Sequence, residues 1–247
     1  MTHIFIGCNR LVGRRPAYFN KLSALEVQAT SNAQVTGKRL GQWRTESRKG
    51  FAFSMKAICG LTHPVTDLEH LPETLRGFAL DDFGLLRDTP AVRAAWQETL
   101  DLAAQLSPKV IVLQTPLEFS PGSTSVERLT WFARELAPMA GKIRVAWQPH
   151  GLWELPGAVE LSRSLDLVPI FDPFVDDPIP HGHGTAYFAL YQRRGLRSRF
   201  DDFDMEELLD HCASYQRAMI IFRGTDCYRD ARLAFTVWQA RREEEEL

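Results

Sequence analysis

Long apolar runs are missing from this chain: none approaches the ~18 residues that a membrane-spanning helix needs. The opening "MTHIFIGCNR" is too short and too polar at its flanks for a secretory signal, so the expectation is a cytoplasmic protein with no membrane partner. Cysteine is scarce and scattered. Cys8, Cys59, Cys212 and Cys227 form no C-x-x-C pair, which argues against a zinc ribbon or a disulfide framework and predicts reduced thiols. The first strand candidate runs into "GCNRLVG" and not into G-x-G-x-x-G, so the turn that would hold a dinucleotide pyrophosphate is absent. No Pro/Gly/Ser linker and no internal repeat divides the sequence, and residues 1–247 are read as one domain. Nothing in this pattern implies a cofactor.

What is present is the balance of a globular protein, with 45% apolar and 24% charged residues. The net charge of −2 hides an asymmetry. Residues 1–60 carry Arg10, Arg14, Arg15, Lys21, Lys38, Arg39, Arg44, Arg48, Lys49 and Lys56 against only Glu26 and Glu46. Such a basic quarter attracts anions, nucleic acid among them, although bases between Lys38 and Lys49 read more simply as the solvated side of a helix. "RRGLRSR" from Arg193 to Arg199 is a second, denser cluster, and the closing "EEEEL" reads as a frayed helix end.

Eight short runs rich in β-branched or aromatic residues are strand candidates: 3–7, 24–28, 51–57, 110–114, 143–147, 167–171, 186–191 and 218–222. Helical spacing fills most of the intervals. Thr89 and Pro90 open a helix whose Val92, Ala95, Trp96, Thr99, Ala103 and Leu106 share a face, with Pro108 as the stop. Thr124 with Glu127, and Asp204 with Glu207, have capping-box spacing. Gly41 is expected to interrupt a helix around "KRLGQWRTESRK", "PAYFNKL" gives a turn or two, and residues 60–88 lack a clear pattern. Strands alternating with helices at a repeat of about 30 residues require crossovers, and right-handed crossovers close a parallel sheet into a (β/α)8 TIM barrel. A doubly wound open sheet is the rival.

A barrel builds its site at the C-terminal ends of its strands. Those ends and the loops after them carry Arg10, Arg14 and Arg15; Gln28; Lys56, Cys59 and His63; Gln114; Gln148 and His150; Asp172; Tyr191 and Arg193; and Arg223 and Asp226. The set is polar and mainly cationic, with Lys56 closing the greasy strand "FAFSMK". An ammonium there serves as a point charge for phosphate or carboxylate, as a base or Schiff-base nucleophile, as a group orienting a carbonyl, or as an ion-pair partner of Glu26, Asp172 or Asp226.

"FAFSMKAICGLTH" resembles the F-x-F-x-x-K-x-x-x-x-x-T-H segment of the YecE-like proteins, a family of TIM barrels of unestablished activity. "VIVLQTPLEF" is similar to that family's fourth-strand L-Q-x-P-x-x-F, "LSALEVQATSNA" takes the place of V-E-I-N-S-T-F-Y, and "VAWQPHGLW" that of A-W-E-P-R-G-x-W in its archaeal-type branch. "DPF", "AYFALY" and "MIIFRGTDCYRDARLAF" occupy the places of later segments. The resemblance implies a (β/α)8 barrel related to sugar-isomerase-like or phosphate-handling barrels, with Glu26, Lys56, Thr62, His63, Gln114, Pro116 and Trp153 in pattern. Gln148 and His150 stand where the family has Glu and Arg, and Ala189 and Tyr191 where it has Arg and His. Exchanging a carboxylate and its arginine partner together avoids a stranded buried charge, but it also removes an acid or base.

The expected site therefore takes Lys56, His63, Glu26, Gln148 and His150 as its reactive groups, with Arg10, Arg14, Arg15, Gln28, Gln114, Tyr191, Arg193, Arg223 and Asp226 as ligand contacts. The expected partner is a small anionic molecule, phosphorylated or carboxylated, and isomerase, lyase and hydrolase chemistry all fit. Two readings compete: a catalytically degenerate barrel that senses a ligand or binds a partner, and nucleic-acid binding through the basic quarter. His181 and His183 form an H-x-H pair that, with His150 or Asp172, has the ligand types of a mixed nitrogen and oxygen metal site, yet a third ligand is not fixed by spacing and a flexible Gly-His loop is the simpler reading.

Overall fold

The computed structural model describes residues 2–32, 34–176, 184–191 and 199–245. All eight strand candidates form strands: β1 His3–Cys8, β2 Ala24–Val27, β3 Ala52–Lys56, β4 Val110–Gln114, β5 Arg144–Gln148, β6 Val168–Phe171, β7 Thr185–Leu190 and β8 Arg217–Phe222. They follow one another in chain order around a closed barrel, with parallel pairing in every register resolved, and the open-sheet rival is thereby excluded. Their greasy composition has a direct cause, since strands covered on both faces alternate little and run almost wholly buried, as "VIVL" does in β4.

Helices occupy the crossovers: α1 Arg15–Lys21, α2 Gly37–Glu46, α3 Cys59–Thr62, α4 Pro90–Leu106, α5 Ser123–Trp131, α6 Leu155–Ser164, α7 Asp202–Cys212 and α8 Cys227–Glu245. Helix α4 starts as its sequence dictates. Thr89 caps it by accepting from the Val92 N–H at 3.2 Å, and its expected inner face is buried throughout. It ends at Ser107, which takes a left-handed φ of 51°, one residue before Pro108. No helix of the described residues is long and apolar enough to cross a membrane.

Three local expectations are corrected. Gly122, with an extended backbone, sits at the N-cap of α5, so Thr124 lies inside the helix and makes no box with Glu127. The box at α7 is one turn earlier, between Asp201 and Asp204, each side chain accepting the other's backbone N–H at 3.0 Å. Helix α2 runs through Gly41 without a break, with Leu40 and Trp43 buried on either side of the glycine.

The chain divides into two compact units: residues 1–26, 46–52 and 170–247, and residues 27–45 and 53–169. In the first, Tyr18, Phe19 and Phe51 pack edge to face, and Gly7 is set so tightly against β2 that a Cβ would stand 1.9 Å from the Ala24 carbonyl oxygen. In the second, Trp96 is fully buried, edge-on to Phe132 with ring centres 5.0 Å apart. Its indole N–H donates at 2.8 Å to the Leu136 carbonyl, at the end of a π-helical turn that follows α5. The bond satisfies the polar end of a side chain that otherwise only buries apolar surface.

Candidate functional site

Lys56, Gln114 and Gln148 are the last residues of β3, β4 and β5, so a strand ending there presents each side chain at its C-terminal tip. Lys56 Nζ donates to Gln114 Oε1. An ammonium only donates, so the amide oxygen faces Lys56 and the amide NH₂ is left to face His150. Gln114 Nε2 stands 3.1 Å from His150 Nε2 and 3.4 Å from its Nδ1. Thr30 donates at 2.6 Å to the Lys56 carbonyl and holds the strand end from behind.

His63 completes this group. It follows α3 directly, and its Nδ1 shares a 2.8 Å hydrogen bond with the buried Thr62 hydroxyl. Burial lowers the His63 pKa, the charges of Lys56 and His150 lower it further, and Glu118 opposes them. The imidazole is therefore neutral at pH 7 and able to accept a proton.

The unpatterned stretch 60–88 is what fixes His63. Gly84, Leu85 and Leu86 form a strap with φ of 85°, 56° and 50°, three consecutive left-handed residues of which two carry a Cβ. Their N–H groups donate to the carbonyls of Gly60, Thr62 and Leu61 at 2.8, 2.9 and 3.2 Å, satisfying the last carbonyls of the buried α3. Left-handed leucines cost roughly 1–2 kcal/mol each, a cost met here by the bonds and by full burial of Leu86. Gly84 is obligatory, because a Cβ would stand 2.5 Å from the His63 carbonyl carbon. Beside the strand ends, Trp153 donates from its indole at 2.5 Å to the Phe119 carbonyl and meets Trp147 edge-on, pinning the loops after β4 and β5.

A second cluster lies in the other unit. Glu26, on β2, is fully buried, and its Oε2 accepts from Tyr187 Oη and Arg223 Nη2, both at 2.5 Å. Arg223 is buried as well; burial works against its charge, but Glu26, Tyr187 and Tyr191 outweigh that and raise its pKa. A second nitrogen, Nη1, donates at 3.2 Å to the hydroxyl of Tyr191, which is half exposed. Arg223 is thus committed to a carboxylate inside the protein.

The remaining expected residues disperse. Arg10 donates at 2.6 Å to the Thr225 carbonyl, Arg14 occupies the N-cap position of α1 with an exposed side chain that makes no cap bond, and Arg15 pairs with Glu46 at 3.3 Å. Asp226 lies 4.0 Å from Arg229, Gln28 follows β2 and accepts a turn bond from the Ser31 N–H, and Gln148 is buried at the tip of β5. Arg39 rests on Trp43, Arg44 on Phe53, and Arg48 donates to the Leu22 carbonyl, so these bases serve local packing. Arg193, His181 and His183 lie outside the described residues. Among the described residues no group of three or more His, Cys, Asp or Glu is arranged to hold a metal ion. Tyr187 and the strap 84–86 escaped sequence reasoning: the tyrosine reads as one more apolar strand residue, and left-handed leucines leave no compositional trace.

The family description "Protein of unknown function DUF72" matches residues 13–164. No curated protein is similar to the chain in sequence. Among solved structures, a DUF72 family protein from Enterococcus faecalis V583 superposes with a TM-score of 0.68 at 13% identity, covering 97% of this chain and 98% of that one. One from Thermotoga maritima MSB8 gives 0.61 at 12% identity, covering 97% and 99%. D-psicose 3-epimerase from Clostridium cellulolyticum H10 gives 0.56 at 12% identity, covering 98% and 99%. Likeness at these identities shows the fold.

Proposed function

The chain belongs to the DUF72 family, whose function is unknown, and from that premise we propose that it binds a small anionic ligand, phosphorylated or carboxylated, at the tips of β3, β4 and β5. The observation that carries the reading is convergence: Lys56, Gln114 and His150 meet at those tips, and His63, whose protonation burial depresses, also feels the positive fields of Lys56 and His150. An anion placed there relieves that repulsion, accepts from Lys56, and meets donors on neighbouring side chains. His63, neutral near pH 7, is the acid–base group of this site, and proton transfer on the bound anion of isomerase, lyase or hydrolase type would pass through it.

Calorimetric titration with inorganic phosphate and with small sugar phosphates tests the reading. A charge-assisted hydrogen bond contributes about 1.5–3 kcal/mol, so Lys56→Met should weaken binding by about 10- to 100-fold. Unchanged affinity in Lys56→Met, or no binding to the native protein at millimolar ligand, would defeat it. A second reading, ligand sensing without turnover, is favoured by one observation: Glu26, the carboxylate in family pattern, is fully buried and bonded to Arg223 and Tyr187. Conversion of a bound ligand would decide against sensing.

A further inference from the structure

A groove of about 570 Å³ runs between α5 and α6, within the unit that comprises residues 27–45 and 53–169. Its shape follows from the sequence of α6. Gly157, Glu160, Leu161 and Ser164 recur at helical spacing and share the face that lines the groove, while Ala158, Val159 and Ser162 turn inward and are buried. Gly157 leaves that face bare, since a Cβ there would meet nothing within 4 Å. At about 1.5 Å per residue the face extends for roughly 10 Å from Gly157 to Ser164.

The walls are apolar, and their anchor is fixed. Val126 of α5 and Leu161 of α6 line the groove together with Leu152 and Trp153 from the loop before α6. The Trp153 indole N–H is already spent on the Phe119 carbonyl, and its ring stacks on Phe119 and meets Trp147 edge-on, so it holds its place before any partner arrives. Leu152 is 78% exposed, the most exposed large apolar side chain among the described residues. A contiguous apolar patch anchored on a fixed tryptophan marks an interaction surface, unlike apolar residues scattered singly over a helix flank.

Charge decides what fits there. Glu154, at the N-cap position of α6, and Glu160 also line the groove; both are exposed, and neither pairs with a cation among the described residues. None of the described residues lining it is Lys, Arg or His. Two unneutralised carboxylates beside apolar walls repel an acidic segment and complement a cationic one, whose Lys or Arg stem covers apolar surface while its charged end meets the carboxylates and the tryptophan ring.

We infer that this groove is a docking site for a basic amphipathic segment of another protein, with an apolar side chain seated on Val126, Leu152 and Leu161 and with Lys or Arg beside Glu154 and Glu160. The site is independent of the anion reading, because it uses none of Lys56, His63, Gln114 and His150.

The test is fluorescence anisotropy of the whole chain with a short fluorescein-labelled peptide of leucine and lysine, and with counterparts that carry glutamate for lysine or alanine for leucine. The first should bind and the two counterparts should not, and added salt should weaken the binding. Gly157→Leu fills the groove from an exposed helical position, where replacing glycine does not cost stability, and should weaken binding by about 10-fold or more with no loss of Tm. Two exposed ion pairs together amount to a factor of about 2 to 30, the loss expected in Glu154→Gln/Glu160→Gln. Should Gly157→Leu lose stability, Leu152→Ser, at a loop position, decides in its place. No binding of the leucine–lysine peptide up to about 1 mM would overturn the inference. Equal binding of the glutamate peptide, or native affinity in both Gly157→Leu and Leu152→Ser, would do the same. Self-association of the native chain in sedimentation velocity that Gly157→Leu abolishes would give the groove to a second copy and overturn the inference as well.

Discussion

Arg223→Met should cost the protein about 3–5 kcal/mol, because it strands a carboxylate rather than merely removing a bond. The side chains of Arg223 and Glu26 are 1% and 0% exposed, so water does not replace the lost partner, while Tyr187 still donates to Glu26 Oε2. At about 2–4 °C per kcal/mol for a chain of this size, Tm should fall by roughly 6–20 °C. The loss should also become dependent on pH. A buried carboxylate without its cation takes a raised pKa, so the variant regains stability as pH falls through that folded pKa towards the unfolded one, and loses it as pH rises through the folded pKa. Glu26→Leu alone strands the guanidinium and should cost a similar amount, whereas the double variant Glu26→Leu/Arg223→Met carries no buried charge and should be destabilised by less than the sum of the two singles. Urea denaturation at pH 7 of the four proteins closes the cycle. Single losses below about 1 kcal/mol, or singles that add to within about 0.5 kcal/mol in the double, would refute the reasoning.

Three further outcomes follow from the same geometry. His63 has a folded pKa below its unfolded one, so between those values the unfolded chain binds more protons; stability is full above about 6.5 and declines as pH drops below it, and His63→Asn should flatten that part of the profile in thermal denaturation. Gly84→Ala drives a Cβ into the His63 backbone at a φ of 85° and should destabilise by about 1–3 kcal/mol while weakening phosphate binding; a stable variant with native affinity would show that the strap does not place His63. Gly7→Ala sets its Cβ against the Ala24 carbonyl and should destabilise the pairing of β1 with β2, read as faster amide exchange in residues 3–8; native protection there would contradict the contact.

The barrel was legible because its strands are buried on both faces and its crossovers carry helical spacing, so each apolar run between turn signals marked one strand. Cap positions were legible only to within a turn: T-x-x-E and D-x-x-E spacings recur inside helices as readily as at their starts, and Gly122 and Asp201 took the positions assigned to Thr124 and Asp204. At the site, Lys56, His63, Gln114 and His150 could be read as strand-end residues, but their union depends on one amide and on the strap at 84–86, which has no periodicity. From the sequence Arg223 reads only as a strand-end cation and a candidate ligand contact. Its burial against Glu26 and Tyr187 follows from the pairing of distant strands, which no local spacing records.

The central claim, a binding site for anions at Lys56 and His63, is tested most directly by the protonation midpoint of His63, followed by NMR of the imidazole with and without inorganic phosphate. A bound phosphate should raise that midpoint in the native protein and leave it unmoved in Lys56→Met. A midpoint that does not respond to phosphate at concentrations up to tens of times the calorimetric Kd would contradict the account.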